Sequence, residues 1–117
     1  INLITLRVVT TDGTCDISGT IFGKKRAAIV KIDDFHLTME PRGHFAYIRN
    51  MNKPGAFGSI TSVLGEGGIN INRMNVGESS EGSTNIVFLA TDTPIPEAVR
   101  LEIDALPMVE SIQLVEL

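Results

Sequence analysis

From Phe45 to the C-terminus the apolar residues switch between two spacings, and that alternation narrows the possible folds more than any other property of the chain. Phe45 and Tyr47 alternate with Ala46 and Ile48 as in a strand, which runs out near Asn50. Pro54 and Gly55 sit where a helix can begin. Ala56, Phe57, Ile60, Val63 and Leu64 then recur every three or four residues, and Gly65, Gly67 and Gly68 supply a stop. Ile69 to Val76 returns to strand, but Ile69 and Ile71 share one parity and Met74 and Val76 the other, which a bulge near Asn72 explains. After the polar stretch Gly77 to Gly82, Thr84 to Thr91 reads as a long apolar strand. Pro94 and Pro96 open a second helix carrying Val99, Ile103 and Leu106, Pro107 ends it, and Val109 to Val115 is the last strand.

The order is β-α-β-β-α-β, the split unit of the ferredoxin-like fold, in which four antiparallel strands carry both helices on one face. The other face must then meet solvent, a partner or a second copy. Pairing with another copy is expected, because Ile86, Phe88 and Ala90 against Val87 and Leu89 leave neither side polar. The first forty residues are punctuated differently. Leu3 to Thr10, Asp16 to Phe22, Ala27 to Ile32 and Phe35 to Glu40 read as strands, with Asp12-Gly13 and Asp33-Asp34 turning the chain. Two hairpins and no helix form a small sheet that needs a cover, expected upstream of Ile1. The fold class is therefore α+β, with a small antiparallel β region over residues 1–42 and a βαββαβ domain over 43–117. A first residue other than Met suggests a piece of a longer chain.

With 117 residues there is material for no more than two compact units. A formal charge of −4 repels a phosphate backbone, and 5% aromatic residues provide little stacking on bases, so nucleic acid is not an expected partner. No apolar run approaches the roughly 20 residues that cross a bilayer, so no membrane partner is expected either. The lone Cys15 has no internal disulfide partner, which fits a reducing compartment, and cytoplasm is the default.

Catalytic chemistry finds little support. His36 and His44 have no neighbouring acid, cysteine or serine at the spacing of a triad or metal site, and Cys15 has no local cation to activate it. No catalytic residue and no metal ligand is assigned. Gly19 to Lys25 is one residue short of a phosphate-binding loop and lacks the following hydroxyl and helix. Lys24, Lys25 and Arg26 are still the densest positive charge in an acidic chain, and with Arg42 they could hold a small anion; a solvated basic turn is the plainer account. The more informative residues are Asn50 and Asn52 at the end of one strand, Pro54 and Gly55 at a helix start, and Asn70 at the opening of the next strand. In the split fold the end of the first strand and the opening of the second are expected at neighbouring ends of adjacent strands, so the carboxamides converge there. An amino acid suits them, since its carboxylate can take helix N–H groups while its ammonium and hydroxyl need carboxamide partners. The plainer account makes Asn52 a helix cap and Asn70, Asn72 and Asn75 turn or edge residues, and spacing alone leans towards it.

The runs Arg49-Asn-Met-Asn-Lys-Pro-Gly55 and Leu64-Gly-Glu-Gly-Gly-Ile-Asn-Ile-Asn-Arg-Met74, with Ala105-Leu-Pro107 and Leu114-Val-Glu-Leu117, resemble the C-terminal ACT domain of bacterial D-3-phosphoglycerate dehydrogenases. Asn2 to Thr5, Asp12-Gly13, Ser18 to Gly23 and Ile29 to His36 resemble the end of the intervening, allosteric substrate-binding domain of the longer members. The resemblance implies a regulatory fragment without catalytic residues or cofactor of its own, whose parent uses NAD in serine biosynthesis and whose catalytic domains lie upstream. It implies homo-oligomers through paired ACT domains, with L-serine or a similar small amino acid as feedback ligand at their interface. Carried over by position, the serine site falls on Asn50, Asn52 and Asn70 with Pro54 and Gly55; several relatives place His and Asp at the first two. Lys24, Lys25 and Arg26 fall where an anionic effector could bind. The regulatory portion of iron-sulfur L-serine dehydratases is similar and stands as the alternative, with a free-standing amino-acid sensor or dimerisation module third.

Overall fold

The computed structural model describes residues 3–10, 13–22, 26–33, 35–78 and 83–117. Four strands, β1 (Leu3–Thr10), β2 (Gly13–Phe22), β3 (Arg26–Ile32) and β4 (Phe35–Met39), form an antiparallel sheet in sequential order. The rest runs β5 (His44–Met51), α1 (Ala56–Glu66), β6 (Ile71–Glu78), β7 (Thr84–Thr91), α2 (Glu97–Asp104) and β8 (Val109–Glu116). Its strands are ordered β6-β7-β5-β8, all antiparallel, which is the ferredoxin-like arrangement.

The expected bulge is present: the pairing of β6 with β7 shifts register between Ile71 and Arg73, around Asn72. Two expected boundaries move. β6 begins at Ile71 rather than Ile69, because Ile69 is spent closing the helix, its N–H bonded to the Leu64 carbonyl (2.9 Å). β2 begins at Gly13 rather than Asp16, because Thr10 to Arg7 pair with Gly13 to Asp16.

Strand alternation divides β5 and β7 between two cores. Ala46, Ile48, Val87 and Leu89 face the helices and pack with Ile60, Leu64, Val99 and Ile103. Phe45, Tyr47, Ile86 and Phe88 point to the other side. There they meet Cys15, Ile17, Ile29, Ile32, Phe35 and Met39 of the first sheet, with Phe45 stacked on Phe88 at 5.1 Å between ring centroids. Two expectations are thereby corrected. The open face is covered from within the chain instead of by a second copy, and the small sheet finds its cover downstream, in β5, β7 and β8, instead of upstream of Ile1. Apolar residues on both faces of β5 and β7, and on the one face of the first sheet that carries Cys15, Ile17 and Ile29, left this arrangement open to the chain. Cover is incomplete at β1, where Ile4 and Leu6 stay 61% and 58% exposed beside a hollow shared with Pro41 and Leu117.

Polar groups lock the two sheets in register. The Tyr47 hydroxyl donates to Asp33 Oδ2 (2.8 Å), and Arg49 donates to that hydroxyl (3.3 Å) while lying 3.6 Å from the same carboxylate. Asp33, in the β3–β4 turn at φ 49°, also accepts from the Asp16 N–H (2.9 Å). At the same end of the contact the Phe35 ring lies directly on Gly77 of β6, where a Cβ would come within 2.0 Å of it.

Candidate functional site

β5 ends in a polar cluster because its last residues leave the apolar alternation. Asn50 is fully buried, paired across the sheet with Asn85 of β7 on one side and Val109 of β8 on the other. Its Nδ2 donates to the Met51 carbonyl (3.3 Å), and its Oδ1 has no hydrogen-bond partner. A buried acceptor left in that state costs about 1–3 kcal/mol, so the strand end is less well satisfied than an ordinary core position.

The chain then turns out of the sheet. Met51 N–H bonds to the Met108 carbonyl (2.8 Å) and Asn52 N–H to the Ser83 carbonyl (3.1 Å), fastening this turn to the starts of β8 and β7. Asn52 Oδ1 accepts from Asn85 Nδ2 (3.1 Å). Gly55 follows Pro54 at φ 85°, a left-handed conformation suited to glycine, and starts α1 with no side-chain cap. Asn52 is therefore not the helix cap that the plainer reading made it; its oxygen is held by Asn85. The start of α1 keeps donors and a positive dipole end without a side chain to satisfy them.

Asn50, Asn52, Pro54 and Gly55 thus lie together, but Asn70 does not join them within one chain. Its carbonyl accepts from the Asp92 N–H (3.1 Å) and its Nδ2 donates to Asp92 Oδ2 (2.7 Å), beside Thr91, which pairs with His44 at the start of β5. The whole length of β5 intervenes, about 20 Å at strand rise. The expected convergence is corrected for a topological reason. A helix returns the chain between β5 and β6, so the second strand begins at the end of the sheet opposite to where the first one finished.

Residues missed from the sequence complete the cluster. Thr84 Oγ1 donates to Glu110 Oε1 (3.1 Å), and Met51, Asn52, Lys53, Ser83 and Glu110 line a groove of about 380 Å³. Asn85 carried a signal, a second carboxamide at a strand end, but only the antiparallel register reveals that it faces Asn50. Lys24 and Lys25 lie outside the described residues, as does Asp34, while Arg26 opens β3. Arg42 lines a separate cleft with Arg73, Glu40 and Thr38. His44 contacts Glu116, Cys15 is buried with its thiol pushed up to about 11 by burial, and no group of three metal-binding side chains occurs among the described residues.

The βαββαβ arrangement, with a groove beside the turn between β5 and α1, defines the class of small ferredoxin-like α+β domains. Residues 44–107 match the family model described as the ACT domain, and the chain belongs to that family, whose members generally bind amino acids and dimerise. Over almost its full length it is similar to D-3-phosphoglycerate dehydrogenases. It is 28% identical to that of Bacillus subtilis over 116 residues, covering 99% of this chain and 22% of the relative. It is 31% identical to that of Methanocaldococcus jannaschii over 101 residues (86% and 19%) and 30% identical to that of Mycobacterium tuberculosis over 118 residues (99% and 22%). The chain spans about a fifth of these relatives and corresponds to their C-terminal part. No helix among the described residues is long and apolar enough to cross a membrane.

Proposed function

We propose that this chain is the C-terminal regulatory region of a D-3-phosphoglycerate dehydrogenase, and that its paired ACT domains bind L-serine at the Asn50–Asn52 end of the sheet as a feedback signal. The observation that supports this most is the buried Asn50 carboxamide, with an unsatisfied oxygen, next to Asn52 and an uncapped helix start. A serine carboxylate gains from the N–H groups and dipole of α1, while its ammonium and hydroxyl find carboxamide partners.

Asn70 enters only through pairing. β6 is an edge strand, and joining it antiparallel to β6 of a second copy brings the Asn70 of that copy towards the end of the sheet that carries Asn50 and Asn52. In this reading the site is completed at the dimer interface, and serine favours one relative orientation of the two domains. Coupling of this kind is typically about 1–3 kcal/mol. The oxidation of 3-phosphoglycerate with NAD belongs to domains outside this chain, in the cytoplasm, where a free thiol such as Cys15 stays reduced.

Calorimetric titration with L-serine, D-serine and glycine tests the reading, together with light scattering with and without ligand. A preference for L-serine and a dimer are expected. Equal or absent binding up to millimolar concentration removes serine as the signal.

A further inference from the structure

We infer that Lys53 and Glu110 form the charge-reading pair of the amino-acid site, Lys53 joining the α1 N–H groups at the carboxylate and Glu110 joining the carboxamide oxygens at the ammonium. The inference deepens the proposed function and rests on its reading of the Asn50–Asn52 end as a small-molecule site.

Three observations carry it. First, the groove of about 380 Å³ at this end is lined by one cation and one anion, Lys53 and Glu110, together with Met51, Asn52 and Ser83. That is the complement of a zwitterion, with polar groups left for a short polar side chain. Second, the carboxylate is held and the amine is free. Thr84 donates to Glu110 Oε1 (3.1 Å), which fixes the carboxylate without neutralising it, and Lys53 forms no ion pair among the described residues. An acid and a base that share a groove but are not bonded to each other remain available to a ligand bearing both charges. Third, Asn52 Oδ1 already accepts one hydrogen bond, from Asn85 Nδ2. Glu110 is the charged acceptor that the groove offers an ammonium beside the carboxamide oxygens.

The elements explain why these side chains meet. Lys53 lies in the turn between β5 and α1, and Glu110 is the second residue of β8, next to Val109, which pairs with Asn50. The Met51 N–H bond to Met108 ties the turn to the entrance of β8. Charge-assisted contacts are the stronger class of hydrogen bond, so this pair would dominate discrimination between an amino acid and its singly charged analogues.

The test is a titration of the full chain and of its Glu110→Gln and Lys53→Met variants with L-serine, glycine and L-alanine, and with two truncated probes, ethanolamine and D-glycerate. Ethanolamine lacks the carboxylate and glycerate lacks the ammonium. The unaltered chain is expected to bind L-serine at least tenfold more tightly than either probe. Glu110→Gln should lose about tenfold for serine and leave glycerate unchanged, and Lys53→Met should lose about tenfold for serine and leave ethanolamine unchanged. Circular dichroism confirms that the variants fold. Serine bound equally by all three proteins overturns the charge-reading pair and leaves the serine site standing. Binding of glycine or alanine but not serine, lost in both variants, upholds the pair and overturns serine as the signal. Binding of no amino acid overturns both.

Discussion

Gly77→Ala is the sharpest probe of how the two sheets are joined. The methyl group would lie 2.0 Å from one ring carbon of Phe35 and 2.5 Å from the next, far inside contact distance. Phe35 is buried in the core between the sheets, so the ring has little room to turn away. Overpacking of this kind costs about 1–3 kcal/mol, against a gain of roughly 0.5–1 kcal/mol from stiffening a glycine in a strand. A net loss of about 1–2 kcal/mol is expected, read as a lower urea midpoint with unchanged slope. Phe35→Leu removes the clashing atoms at its own cost, and the double variant should be more stable than the sum of the two single losses by about 1 kcal/mol or more. Strict additivity, or a Gly77→Ala chain as stable as the original, would show that Phe35 does not rest on β6 and that the sheets are not packed as described.

The remaining predictions concern polar groups. Tyr47→Phe removes the hydroxyl that donates to Asp33 and accepts from Arg49, and should lower stability by about 1–2 kcal/mol in the same urea assay while leaving the fold intact by circular dichroism. Burial raises the Cys15 thiol from 9.0 to about 11, so the unfolded chain loses its proton first as the pH climbs. Stability should be unaffected by this group below pH 9 and fall by about 1.4 kcal/mol by pH 10, a loss that Cys15→Ala abolishes. Tyr47, also raised by burial and then by Asp33, adds its own loss above pH 10, visible as a further drop that Tyr47→Phe removes. Asn52→Ala should weaken L-serine binding by about 1–3 kcal/mol in calorimetry, since it deletes a polar group already oriented by Asn85.

The alternation of spacings from Phe45 onwards was sufficient to read the strand and helix order and the bulge at Asn72, because each depends only on local periodicity. What it could not show was pairing. That Asn50 faces Asn85, 35 residues on, follows from the antiparallel register of β5 with β7, and that Thr84 reaches Glu110, 26 residues on, follows from β7 and β8 flanking β5. Asn70 illustrates the opposite error: proximity along the chain after a helix suggested a shared site, whereas the return path sends it to the far end. The partner of the open sheet face was illegible for a different reason. Two apolar surfaces, one at each end of the chain, each demanded cover, and no local rule states that they satisfy one another.

The strand order carries a consequence for biosynthesis. β5 sits centrally, yet one of its two neighbours is β8, whose last residues leave the ribosome some seventy positions later; His44 pairs with Glu116, and Gly43 exchanges both backbone bonds with Leu117. The four leading strands, each hydrogen-bonded to the next in sequence, can zip as they emerge, but their inner surface stays bare until the strands that cover it, β5, β7 and β8, have emerged as well. A ribosome stalled between β4 and β7 would therefore hold a nascent chain with an open sticky sheet, and chaperone capture should be greatest in that interval.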